Sequence, residues 1–145
     1  MRSLGLDVGE RRTGVAISDP EGIFAIPLTV IDNGDENATI DDILKFVEQY
    51  EIERIVVGLP YSLNGNLGKQ AGKVTAFTEK LSQSCSVDVH WWDERLSTIA
   101  ANKLMKEAGT KKDKRKQHRD AIAAAFILQG FLDSHTVQIA EELDY

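Results

Sequence analysis

Apolar and polar positions alternate from the first residues of the chain. Leu4, Leu6 and Val8 are separated by Ser3, Gly5 and Asp7, the two-residue period of a strand with one apolar face and one small or acidic face. Gly9 breaks the run, Glu10 to Thr13 read as a polar loop, and Gly14 to Ser18 form a second run, predicting an antiparallel hairpin. Ile23 to Ile31 predicts a third strand, and Pro27 within it favours a sheet edge, where a missing donor costs little. After the polar break from Asp32 to Asn37, Ile40, Ile43, Leu44 and Val47 recur at helical spacing up to about Tyr50. Arg54 to Pro60 is a short continuous apolar run, the pattern of a strand buried on both faces, and Pro60 ends it. Tyr61 to Gly68 is loop-like. Ala71, Val74, Phe77, Thr78 and Leu81 predict a second helix, and Val87 to Trp92 alternates as a fifth strand. Ser97 or Thr98 can cap a helix running to about Ala108, with Gly109 ending it. A last helix is expected from about Asp120 to Leu132, with a broad apolar face from Ala121 to Leu132.

This order predicts an α/β fold with a mixed sheet covered by helices on both faces, in which helical crossovers make the fourth and fifth strands parallel neighbours. A length of 145 residues suits one domain spanning 1–145, and 42% hydrophobic with 28% charged residues is ordinary for a globular chain. The N-terminus enters a strand with no apolar signal core, and no apolar run approaches the roughly 20 residues that span a bilayer. Cys85 is the only cysteine, which rules out an intramolecular disulfide. A cytoplasmic location without membrane contact is the expectation.

Charge is unevenly distributed. The net charge is −6, yet Lys111, Lys112, Lys114, Arg115, Lys116 and Arg119 fall within one short segment opposed only by Asp113. The rest of the chain carries 11 basic against 22 acidic residues. An acidic body with one basic segment, read as an exposed loop, points to a localised contact with a polyanion.

Asp7 is a carboxylate inside an apolar strand, which is costly unless paired or metal-bound. A plainer role would be to close the turn after it. Two more acidic positions follow on other elements: Asp93-Glu94 at the end of the fifth strand and Asp120 in the expected first turn of the last helix. Carboxylates on separate elements, without a Cys or His cluster, suit Mg²⁺ or Mn²⁺. Paired metals about 4 Å apart activate water and stabilise a leaving oxygen in phosphodiester cleavage. Asp120 could instead serve a positive helix terminus, and Asp93 could cap the turn before Ser97. Arg11, Arg12 and Arg95 are placed to bind phosphate or to pair with these acids. The glycines from Gly65 to Lys73 lack phosphate-loop spacing, and His90, His118 and His135 are too dispersed in sequence to suggest zinc. Trp91 and Trp92 point to opposite faces, one of them into the core.

The element order matches the ribonuclease H-like layout, with five strands expected in the order 3-2-1-4-5. Gly5-Leu-Asp-Val-Gly9 with Arg12 and Gly14-Val-Ala16, Val56-Val-Gly-Leu-Pro60, Asp93-Glu-Arg-Leu-Ser-Thr98, and Asp120-Ala-Ile-Ala-Ala124 with Ile127-Leu-Gln129 occur in sequence. Together they resemble the YqgF family, also called RuvX, of ribonuclease H-like proteins related to the Holliday-junction resolvase RuvC. The resemblance covers essentially the whole chain. It implies a metal-dependent nuclease linked to maturation of the small-subunit ribosomal RNA precursor, with Asp7, Glu94 and Asp120 as the acidic set. The chain departs from RuvC in one respect: there the second acid ends the fourth strand, whereas here that strand ends Gly58-Leu59-Pro60. Structured RNA is the favoured substrate. A four-way DNA junction is the alternative, and would call for a two-fold homodimer. A non-catalytic nucleic-acid-binding module is a further alternative. An actin-like phosphotransferase, whose first phosphate motif Gly5 to Gly9 also resembles, would need a second domain that this length does not provide.

Overall fold

The computed structural model describes residues 1–60, 68–93 and 112–143, with side chains in the last segment described from 119 to 135. The described elements are β1 (Ser3–Val8), β2 (Arg12–Ser18), β3 (Ala25–Asp32), α1 (Glu36–Gln49), β4 (Arg54–Leu59), α2 (Lys69–Ser84), β5 (Asp88–Asp93) and α3 (Lys112–Leu143). The sheet has the order β3-β2-β1-β4-β5. β2 is antiparallel to β1 and β3, while β4 is parallel to β1 and β5, as the hairpins and helical crossovers require.

Pro27 lies on the edge strand as expected. The register steps from Val15↔Thr29 to Ala16↔Pro27, so the missing donor coincides with a bulge, where it interrupts no regular ladder.

The strand period sorts the core into two layers. Leu4, Leu6, Val15, Ile55 and Val57 pack with Ile40 and Ile43 of α1 and Val74, Phe77 and Leu81 of α2. Ala16 and Val56 point the other way and pack with Ala124, Ile127, Leu128 and Phe131 of α3. Each fully buried leucine or isoleucine contributes about 1.5–3 kcal/mol by leaving water. Asp35 caps α1, its carboxylate accepting from the Asn37 N–H at 3.1 Å.

The small face of the hairpin is what lets α3 approach. A Cβ on Gly5 would lie 2.7 Å from Leu128 Cβ, and one on Gly14 would collide with the Asp120 carbonyl. Gln129 ties the same helix to the sheet: its Oε1 accepts from the Ala25 N–H at 2.8 Å and its Nε2 donates to the Ile23 carbonyl at 2.9 Å.

Three expectations need correction. Arg12 and Thr13 belong to β2, not to the loop. The segment 112–119, expected as an exposed loop, forms the opening turns of α3, and that helix continues beyond Leu132 to Leu143. Asp120 consequently lies about two turns inside α3, too deep for a helix-terminus role. Two of the histidines meet without forming a metal site among the described residues: His90 and His135 converge on Phe131, with ring centroids 5.4 and 4.5 Å away. Trp92 also packs on Phe131, leaving Trp91 40% exposed. The helix expected from Ser97 to Ala108 lies outside the described residues.

Candidate nuclease site

Asp7 sits near the C-terminal end of β1 and is half-buried. Its cross-strand partner is Gly14. Because Gly14 has no side chain, the backbone of α3 at Asp120 settles directly over it. One glycine thus brings together two acids far apart in sequence.

Asp120 is half-buried, and Arg12 joins it from β2, with Nε 3.4 Å from Oδ2. The Asp120 carboxyl titrates above the usual carboxylate range because burial disfavours its charge and the negative charge of Asp7 adds to that. Arg12 and Arg119 pull in the opposite direction without cancelling the effect. Asp7 and Asp120 are therefore near enough to couple electrically. A carboxylate pair that resists holding two negative charges favours an added cation. Two hard oxygen donors at one sheet edge fit a divalent ion of the magnesium type.

Among the described residues no three His, Cys, Asp or Glu side chains gather as a metal site. Glu94, Arg95 and Lys111 lie outside the described residues. Asp93 ends β5 opposite Leu59, whose strand parity with Val57 places Asp93 on the α1/α2 face, away from Asp7. On β4, the register Leu6↔Val57 places Gly58 alongside Asp7, so no carboxylate stands there.

Arg11 is exposed in the β1–β2 loop, and its carbonyl accepts from the Asn33 N–H at 2.8 Å. Lys112, Lys114, Arg115 and Lys116 belong to the first turns of α3.

Two supporting residues escaped the sequence reading. Asn33 Nδ2 donates to the Gly9 carbonyl and Asn33 Oδ1 accepts from Thr13 Oγ1, both at 2.9 Å, which pins the loop carrying Arg11 and leading to Arg12. In sequence Asn33 stands in a polar break, indistinguishable from an ordinary turn residue. The other is Gln70, whose Nε2 donates to the Val8 carbonyl at 3.2 Å.

Residues 1–134 match the RuvX family, described as Holliday junction resolvase. A Clostridium botulinum protein named "Putative pre-16S rRNA nuclease" is 45% identical over 134 residues, covering 92% of this chain and 98% of that protein. One of the same name from Clostridium acetobutylicum is also 45% identical over 134 residues, covering 92% and 99%. Among solved structures, T. thermophilus RuvC in complex with Holliday junction substrate aligns with a TM-score of 0.63 at 17% identity, covering 94% of this chain and 96% of that one. The Fowlpox virus resolvase with its Holliday junction DNA aligns with a TM-score of 0.58 at 10% identity, over 92% and 98%. At such identities the structural likeness supports the ribonuclease H-like fold alone. The sequence relatives go further: the chain belongs to the RuvX family.

Proposed function

We propose that this protein is a divalent-metal-dependent endonuclease of structured nucleic acid, acting on the precursor of the small-subunit ribosomal RNA. The observation that carries the reading is the coupled pair Asp7 and Asp120, held at one sheet edge by the Gly14 contact and flanked by Arg12. Asp7 and Asp120 would hold Mg²⁺ or Mn²⁺, and Glu94 completes the set, since Asp93 lies on the other face. When bound, the ions would supply an activated water and stabilise the leaving oxygen. Arg12 offsets part of the acidic charge and is within reach of a phosphate at the same edge. Arg11, Arg95 and the basic segment from Lys111 to Arg119 hold the nucleic-acid backbone without reading its sequence. The names of the sequence relatives favour RNA over a DNA junction.

The test is cleavage of precursor RNA and of a four-way DNA junction by purified protein and Asp7→Asn, with Mg²⁺ or Mn²⁺ and with chelator. The expected result is metal-dependent RNA cleavage, reduced at least about a hundredfold in the variant, consistent with the usual loss on removing a catalytic electrostatic group. Cleavage unaffected by Asp7→Asn would sink the site. Cleavage confined to the junction, by a two-fold dimer, would replace the RNA reading.

A further inference from the structure

Beyond Asp7, β1 and β2 are joined by a short turn at the same sheet edge. Val8 pairs with Thr13, so Gly9 stands two residues, about 7 Å, past Asp7. A backbone bond from the Gly9 N–H to the Arg12 carbonyl, at 2.9 Å, closes the mouth of the turn. Its side chains do little to hold it. The Glu10 carboxylate lies 3.9 Å from Lys73, but both groups are well exposed, and such a pair contributes little rigidity. Arg11, at the tip, is exposed too. Among the described residues its guanidinium has no carboxylate partner.

Asn33 supplies what the turn lacks. It follows β3, whose last residue, Asp32, pairs with Arg12. From there its backbone N–H donates to the Arg11 carbonyl at 2.8 Å, and its Nδ2 donates to the Gly9 carbonyl at 2.9 Å. Both ends of the Gly9–Arg11 turn therefore rest on one residue. The amide has a single satisfying orientation: the Gly9 carbonyl needs a donor, which leaves Oδ1 to accept from the buried Thr13 hydroxyl at 2.9 Å. Gln70 fixes the approach from β1, its Nε2 donating to the Val8 carbonyl while its Oε1 is enclosed without a hydrogen-bond partner. Arg12 is held by other means, the β2–β3 ladder and the Asp120 carboxylate at 3.4 Å. Of the two adjacent arginines, Arg11 is the one whose place depends on Asn33.

We propose that Asn33 is a positioning residue for nucleic-acid binding: it fixes the Gly9–Arg11 turn so that the Arg11 guanidinium meets a backbone phosphate beside the carboxylate pair. The inference rests on the nuclease reading, which brings nucleic acid to this edge, and adds the residue that makes Arg11 a fixed contact. An arginine on a loose tip must be ordered as it binds, and that cost is subtracted from affinity; a tip ordered in advance avoids it. A guanidinium fork also rewards fixed placement, since two parallel bonds to a phosphate require its plane to be aligned. Asn33 itself touches no phosphate and acts through Arg11.

The test compares Asn33→Ala, Arg11→Gln, Arg12→Gln and the two double variants that include Asn33→Ala, by RNA affinity in chelator and by KM and kcat with Mg²⁺. The backbone bond to the Arg11 carbonyl survives in Asn33→Ala, which favours folding. Asn33→Ser, too short to reach both side-chain partners, gives the same readings should that variant not fold. Nitrogen-15 relaxation should show the Glu10 and Arg11 amides loosened, with order parameters falling from about 0.85 to below about 0.6, while Thr13 in the ladder stays rigid. Asn33→Ala and Arg11→Gln should each weaken RNA binding and raise KM about fivefold, with kcat falling much less. In the Arg11→Gln background, Asn33→Ala should cost less than about twofold more, whereas in the Arg12→Gln background it should keep its full effect. A merely structural asparagine would add the same loss in every background. An unloosened turn, RNA affinity unchanged by Arg11→Gln, or losses that multiply in the Arg11→Gln background would overturn the inference and leave the nuclease reading standing. The expected coupling in affinity, found in a protein that cuts no RNA, would uphold Asn33 as a positioning residue and remove the nuclease reading.

Discussion

The coupling of Asp7 to Asp120 makes a prediction about pH. Asp120 titrates above its ordinary range in the folded state, first because it is partly buried and then because Asp7 is near. The unfolded chain therefore ionises this group more readily than the folded one. Stability is free of the penalty below the ordinary aspartate pKa of about 3.9 and loses ground as pH rises through the raised folded value. In chelator-treated buffer, Asp120→Asn should raise the melting temperature at pH 7, and the gain should vanish below about pH 4. Asp7→Asn should shift the Asp120 titration midpoint downward, as read by carboxyl ¹³C NMR, because a repelling charge has gone. An unmoved midpoint would mean that the two acids do not share a site.

Two elements set the site's geometry: the β1–β2 hairpin and α3. Their contact depends on Gly14, over which the Asp120 carbonyl rests. Gly14→Ala must push the helix away or bend the strand, and should destabilise the protein by about 3 kcal/mol, at the upper end of overpacking costs. Denaturant melts measure this, and a near-neutral result would show that α3 does not rest on β2 there. The basic opening segment of α3 carries a separate prediction. Neutralising Lys112, Arg115, Lys116 and Arg119 together should weaken RNA binding similarly across sequences and reduce the salt slope by about 0.7 to 0.9 per lost phosphate contact. Lys114→Gln alone should change it less, since it removes one charge only. Unchanged affinity and salt slope in the quadruple variant would show that the segment does not grip the RNA backbone.

At the scale of the molecule, the sheet has a second cluster at the end away from Asp7. Arg54 donates from Nε to Ser3 Oγ at 3.0 Å and lies 4.7 Å above the Phe131 ring, with His90 and His135 against the same ring. The shell joins β1, β4, β5 and α3. Burial lowers the Arg54 pKa, and His135 titrates below the ordinary histidine range, first through desolvation and then through the charges of Arg54 and His90. For a histidine depressed on folding, stability is complete above its unfolded pKa of about 6.5 and is lost as pH falls through that range. Thermal melts from pH 8 to pH 5 should show this decline, and His135→Phe, which keeps an aromatic ring on Phe131, should flatten it. An equally steep decline in the variant would assign the effect to other groups.

Much of this was legible in local pattern. Period-two alternation marked the first and fifth strands, a continuous apolar run marked the fourth, and Pro27 marked the edge, because these signals depend only on neighbours along the chain. The alternation of Ser3, Gly5 and Asp7 already held the small face on which α3 rests. Motifs at Asp7 and Asp120 pointed to the acidic pair before any geometry was known. What local pattern could not supply was anything requiring distant segments to meet. The segment 112–119 reads as a loop because its charges mask helical spacing, whereas the structure continues it into a helix whose later turns bury Ala124, Ile127 and Leu128. His90 and His135 look unrelated until β5 and α3 bring them to one ring. Asn33 resembles any turn residue until it is seen bridging Gly9 and Thr13, and Gln70 any helix-surface glutamine until its oxygen is found buried. Sequence determined which residues could form strands, helices and an acidic site; tertiary packing decided which of them touch, because contacts between distant segments depend on register, helix placement and the absence of a side chain at Gly14.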